Sequence, residues 1–323
     1  MTRGENMNDR VTITTGGYSI NPGQVSVRAG LNKQQGRNGQ QERNSARRRK
    51  IASTLSSVTA TYLLLAVILV PFIWLIFTSF KFPVEFLSWP PTFLPRSLTI
   101  ENYRRVLHQP LLLNYFANTF IVASASTLLA LAVGSAAAYS LTNVKFPARL
   151  NAIFAVWVLI TRMYPAIATA VPYFMLIKNL GLLDHRLALI ITYTSFNLPL
   201  VIWFMLGFFQ GLPEEINNAA IVDGCSLWQR FFKIGLPLAA PGLVTSAILS
   251  FILGWNEFLF AVILTSIKAK TVPVVVAGFI TDKGLEWGEM SALGSMLVIP
   301  VIILAWLAQK YLIQGLTFGA LKE

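Results

Sequence analysis

The sequence predicts an all-α fold: a polytopic membrane helical bundle with six transmembrane helices. Three observations carry that prediction. Hydrophobic residues make up 54% of the 323 residues and charged residues only 12%, against roughly 25% charged in a soluble domain. The apolar residues gather into long runs, and a hydrocarbon core about 30 Å thick takes roughly 20 of them per helix. Ten-residue segments of alternating polarity, which build membrane barrels, are absent, so helices must satisfy the backbone in lipid.

In chain order, residues 1–56 are expected to form a disordered, basic, cytoplasmic tail. They are rich in Gly, Asn, Gln, Ser and Arg and lack an apolar period. Ten basic and three acidic residues precede position 51, and they supply much of the +12 net charge. The tail ends in Arg47, Arg48, Arg49 and Lys50, and such a cluster before a span holds its end in the cytoplasm and attracts anionic membrane lipid. No nucleic-acid-binding fold accompanies the basic run, so no nucleic-acid partner is expected. The tail also lacks the apolar stretch of a cleavable signal, so the first span is expected to be retained.

Residues 57–323 are expected to be the transmembrane domain. Its six spans are predicted at Ala60–Phe80, Phe116–Leu141, Ala152–Ile177, Leu187–Phe209, Gly242–Thr265 and Ala292–Ala308. The run Thr271–Ile280 is too short to cross and is expected to lie at the interface or re-enter. Six spans after a cytoplasmic N-terminus place both termini inside. The loops alone show no basic bias toward that side, so orientation rests on the tail and on the parity of the spans. Pro71, Pro165, Pro172, Pro199 and Pro300 are expected to interrupt helices and free carbonyls for neighbours or water, although simple packing is the ordinary reading of each. Ala130, Gly134 and Ala138 have the small-xxx-small spacing of a close helix contact.

Between the fourth and fifth spans lies a polar island, Gly211–Pro241. Pro213 suits a first helical position, and Glu214 and Glu215 complement the dipole in the first turn. Ile216, Ala219, Ala220 and Asp223 follow at helical spacing, giving a narrow, small, mostly apolar face. Gly224 offers the left-handed residue that stops the helix. Ser226 and Gln229 have capping-box spacing, so a second short helix carrying Trp228, Phe231 and Phe232 should begin at once. The plainer alternative is an amphipathic loop lying on lipid headgroups.

The order Pro213-Glu214-Glu215, Ala219-Ala220, Asp223-Gly224, Ile234 and Leu236-Pro237 resembles the signature loop of the membrane subunits of bacterial ABC importers. Beyond the island, Ser97 to Tyr103, Asn118, Ala138-Tyr139, Lys145-Phe146-Pro147, Pro165, Pro172, Gly181-Leu182 and Trp255-Asn256-Glu257-Phe258 are similar to the carbohydrate-uptake branch, of the maltose-type second permease. The resemblance implies a type I importer permease fold in the bacterial inner membrane, with a cytoplasmic coupling loop over residues 211–241. It also implies several partners: a homologous second permease, a dimer of ATPase subunits that bind ATP-Mg, and an extracytoplasmic substrate-binding protein. ATPase coupling then falls to Glu214, Glu215, Ala219, Ala220, Asp223 and Gly224. One departure stands out, because the family usually has a glutamate where this chain has Asn218.

Within the spans, Arg162 and Glu257 are costly at bilayer depth and must face a partner or a wet cavity. Counting about 1.5 Å per residue puts their side chains within reach of one another. A pair lining the translocation path and separate placement at a water-filled interface both remain open. Asn197 and Asn256 suit either sugar hydroxyls or interhelical hydrogen bonds.

Catalysis by the chain itself is not expected. No Gly-Lys dipeptide occurs, so no P-loop is present to cradle nucleotide. His108 and His185 lie in loops, which leaves no base or metal ligand inside the spans. Cys225 is the lone cysteine and excludes an internal disulfide. Neither a cofactor nor a metal is expected in this chain. An ion-coupled secondary transporter would need more deep carboxylates than Glu257 alone, and a non-transporting scaffold would not explain the island.

Overall fold

Four long apolar helices and two sharply bent helix pairs organise the protein. The computed structural model describes residues 53–86, 88–144, 146–147, 150–281 and 284–318, so the predicted tail lies almost entirely outside the described residues. Helix α1 is Ser53–Ser79, and within the unit Met1–Phe72 its described residues are all exposed. An apolar helix with no buried face belongs in lipid or against another chain.

In the unit Ile73–Glu323, two short helices, α2 (Pro83–Phe86) and α3 (Glu101–Leu107), follow α1. Asn102 of α3 donates its amide to the carbonyls of Ser79 and Lys81, both at 2.9 Å. Next come α4 (Leu112–Asn143), α5 (Leu150–Met163), α6 (Ala166–Asn179) and α7 (Arg186–Gln210). Across the island run α8 (Glu214–Val222) and α9 (Leu227–Leu238). Helices α10 (Ala240–Trp255), α11 (Leu259–Leu264) and α12 (Val272–Ala277) precede a two-residue hairpin, β1 (Ile280–Thr281) and β2 (Gly284–Leu285), and α13 (Trp287–Phe318) ends the described chain.

Helices α4 and α7 form the spine and run in the same direction. Asn118 near the start of α4 meets Arg186 at the start of α7, and Tyr139 near the end of α4 meets Phe209 near the end of α7. Ala130 and Ala138 are fully buried between them, and a Cβ on Gly134 would stand 2.8 Å from Val201 Cγ1, so the small-residue stripe does bring the helices close. Helix α10 runs the opposite way, with Gly242 against Phe208 and Asn197 donating to the carbonyl of Ser250 at 3.2 Å.

Among the described residues, four helices are long and apolar enough to span alone, and two bent pairs bring the total to as many as six. The predicted third span is broken: α5 and α6 meet at 93°. Pro165 at that break has no N–H and steers Tyr164 away from helical geometry. Pro71, Pro172, Pro199 and Pro300, by contrast, lie within continuous helices. The predicted fifth span stops at Trp255 and resumes as α11, because Glu257 accepts the backbone N–H groups of Phe260 and Ala261 at 2.9 and 3.2 Å and so starts a new helix. Helices α4 and α13 extend beyond the second and sixth predicted spans at both ends. Thr271–Ile280 folds as α12 and the first residue of β1, with Val272 fully buried and its N–H on Thr119 Oγ1 at 2.9 Å.

Candidate functional site

The island folds as its local chemistry dictates. Pro213 is the N-cap of α8, one residue earlier than the first-turn position its sequence suggests, and Glu214 and Glu215 occupy the first turn. At the other end Cys225 N–H reaches the carbonyl of Ala220 and Gly224 N–H that of Ile221, both at 3.0 Å. That crossed pair is a Schellman stop, and it needs the φ of +74° that Gly224 supplies. Ser226 and Gln229 form the full capping box of α9. A π-helical turn over Phe231–Gly235 interrupts α9, a geometry often kept for function. The helix then meets α10 at 77°.

Of the narrow face its spacing sets out, Ile216, Ala219 and Asp223 are exposed, open to a partner together with Val222, which is 87% exposed, whereas Ala220 is 4% exposed and turns inward. Asn217 also points inward. Its Oδ1 accepts from Arg230 Nη1 at 2.9 Å and from Tyr139 Oη at 3.5 Å, linking α8 to α9 and to the spine. Tyr139 also packs edge-on against Phe209 and tilted against Phe231, with centroids at 5.1 and 5.2 Å. A Cβ at Gly235 would lie 2.7 Å from that ring, so only glycine admits it there. Arg230 Nε is buried without a hydrogen-bond partner. A cavity of about 640 Å³, lined by Asn143, Gln210, Glu214, Asn218 and Ile234 among others, opens beside this latch of Tyr139, Asn217 and Arg230. Nothing in local spacing reveals that Asn217, Arg230 and Tyr139 meet, because they come from three elements.

Exposed Arg162, buried Asn197 and half-buried Glu257 line one cavity of about 170 Å³. Arg162 and Glu257 do not form the direct ion pair entertained from sequence. Arg162 Nη1 donates to the carbonyl of Phe196 at 3.3 Å, while both carboxylate oxygens of Glu257 cap α11. Ion pairs among the described residues join Arg105 to Glu101 and to Glu289. Asn256 is exposed, its amide turned back to the carbonyl of Ile252 at 3.0 Å, and it is not among the residues lining this cavity. The break before α11 rotates Asn256 away from Glu257, which continuous helical counting misses.

At the far end of α7, the Asp184 carboxylate accepts the backbone N–H groups of Ser266, Ile267, Lys268 and Ala269 at 2.9–3.3 Å. Burial pushes its pKa up, but the four donors outweigh burial and hold the carboxyl below its ordinary range. Asn118 donates to the carbonyls of Lys268 and Lys270 at 2.9 and 2.8 Å and accepts from Arg186 Nε at 2.6 Å, completing a knot of three chain segments.

An apolar bundle with a capped helix pair on the loop between two of its helices is the build of a membrane transport permease. The chain belongs to the binding-protein-dependent transport system inner membrane component family, whose pattern matches residues 130–318. It is 38% identical to a probable ABC transporter permease of Sinorhizobium fredii over 79% of this chain and 91% of that one. It is 37% identical to the trehalose/maltose transport system permease protein MalG of Thermococcus litoralis, over 85% of this chain and 99% of that one. A bacterial ABC transporter involved in the import of the acidic polysaccharide alginate matches in structure with a TM-score of 0.65 at 26% identity, covering 81% of this chain and 96% of its counterpart. The protein is thus an ABC importer permease, a transport component of the membrane and not an enzyme.

Proposed function

We propose that this chain forms half of a sugar-translocating pathway and takes its driving force from an ATPase docked on α8. The observation that carries the reading is α8 itself: a helix closed at both ends, joined to the spine through Asn217 and presenting Val222 and Asp223 outward with nothing packed on them. A helix built so carefully but left uncovered fits a partner. Relatives that carry trehalose, maltose or sulfoquinovosyl glycerol support a sugar or sugar derivative as cargo.

Both termini and the island face the cytoplasm, a homologous permease supplies the other half of the pathway, and an extracytoplasmic binding protein delivers the cargo. ATP-Mg binds to the ATPase dimer, since this sequence has no P-loop. Closure of that dimer draws Glu214, Glu215, Ala219, Ala220, Asp223 and Gly224 with it, and the π-turn and latch pass the displacement to α4 and α7. Arg162, Asn197 and Glu257 line the path.

Cysteine placed at Val222 in a Cys225→Ser background tests the docking. It should crosslink to the co-expressed ATPase and resist a membrane-impermeant maleimide applied to intact cells. Labelling from outside, or no crosslink in an assembled complex, overturns the reading.

A further inference from the structure

We infer that this chain itself holds a binding subsite for a neutral sugar ring, between Arg162 and Glu257, a step that rests on the sugar-permease reading above. Arg162 is on α5 and Glu257 lies at the break between α10 and α11, and both line the cavity of about 170 Å³. Neither is discharged by the other. Arg162 spends one donor on a carbonyl at 3.3 Å and keeps several, since a guanidinium carries five N–H groups. Glu257 takes two backbone donors, one on each carboxylate oxygen, and retains lone pairs on both.

The walls add the rest of a sugar site. Tyr193 is 2% exposed and lines the same cavity, its hydroxyl beside the Glu257 carboxylate. Phe196 and Phe260 line the same space, packed on one another with centroids 4.6 Å apart and each on Tyr173 at 5.5 Å, so that part of the wall is apolar. A second cavity of about 660 Å³ shares Arg162, Ala166 and Phe196 with the first, so a longer saccharide has room to continue.

Charge selects the occupant. One cation and one anion flank the space, so an ion of either sign meets repulsion from one wall, whereas a neutral polyol satisfies both through its hydroxyls. The subsite therefore suits neutral glycosides, in contrast to the acidic cargo named for the structural neighbour.

The test uses the assembled transporter, this chain with its second permease and ATPase in lipid nanodiscs, and equilibrium dialysis with labelled maltose, trehalose and digalacturonate. At least one neutral disaccharide should bind roughly tenfold tighter than digalacturonate. Arg162→Met should weaken that neutral sugar by roughly tenfold, the loss expected for a charged hydrogen bond. Glu257→Gln, which keeps an acceptor for the α11 cap, should shift preference toward digalacturonate. Retention of the ATPase and an unchanged unfolding temperature serve as the folding control. Equal or tighter binding of the acid, binding of no neutral sugar, or wild-type binding by both variants in an intact complex overturns the subsite and leaves the permease reading standing. A wild-type chain that never assembles with an ATPase breaks that underlying reading instead.

Discussion

The two ends of α7 are held by polar clusters of opposite character. At its start, Asp184 receives four backbone N–H groups and Asn118 serves three further partners, so the Asp184 carboxylate and the Asn118 amide are both fully engaged. At its end, 25 residues and about 37 Å away, one amide oxygen of Asn217 serves two donors, Arg230 Nε has none, and a cavity of about 640 Å³ lies alongside. Saturated networks rigidify and half-saturated ones yield. On the coupling reading proposed above, the Asp184 end serves as the anchor and the island end as the part that moves.

The largest expected effect breaks the anchor. Asp184→Ala leaves several backbone N–H groups without acceptors and should lower stability by about 3 kcal/mol, read as a fall in unfolding temperature in detergent. Gly224→Val tests the moving end: a β-branched residue at φ +74° costs about 2 kcal/mol locally. It should abolish coupled uptake while the chain still inserts, and normal transport would remove α8 from the coupling route.

Asn217→Leu is milder, about 1–2 kcal/mol for the stranded Arg230 and Tyr139. It should raise uncoupled ATP hydrolysis by the complex severalfold with docking intact. If both activities fall in parallel, Asn217 is ordinary packing.

The smallest effect is acid sensitivity. Asp184 has its folded pKa depressed, so its contribution is present above the unfolded carboxylate value and is lost as pH falls through the lower folded one. Stability should change little through this group between neutral pH and the ordinary carboxylate range, and should then drop below it. Asp184→Asn should flatten that drop, which thermal melts over a pH series would show.

Local chemistry was legible where neighbours in sequence make the structure. Gly224, the Ser226 and Gln229 capping box and the carboxylates of the first turn of α8 act within one or two turns of themselves, so their spacing sufficed. Arg162 and Glu257 were visible as costly charges, but their relation was not. It depends on Pro165 bending α5 from α6 and on Glu257 capping its own new helix, both of which break the uniform rise that depth counting assumes. Asn217 and Asp184 carried no local signal, because their partners lie on other segments.

By itself the sequence determined the solvent, the number of apolar runs, the island and its caps, and enough signature residues to show the kind of machine. These follow from composition and from interactions a few residues long. Tertiary structure alone decided which face of α8 turns inward, that Tyr139, Asn217 and Arg230 share one contact, and that two unpaired charges look into one cavity. Those outcomes depend on how separate helices break and cross, and a helix direction altered by a single bend relocates every side chain beyond it.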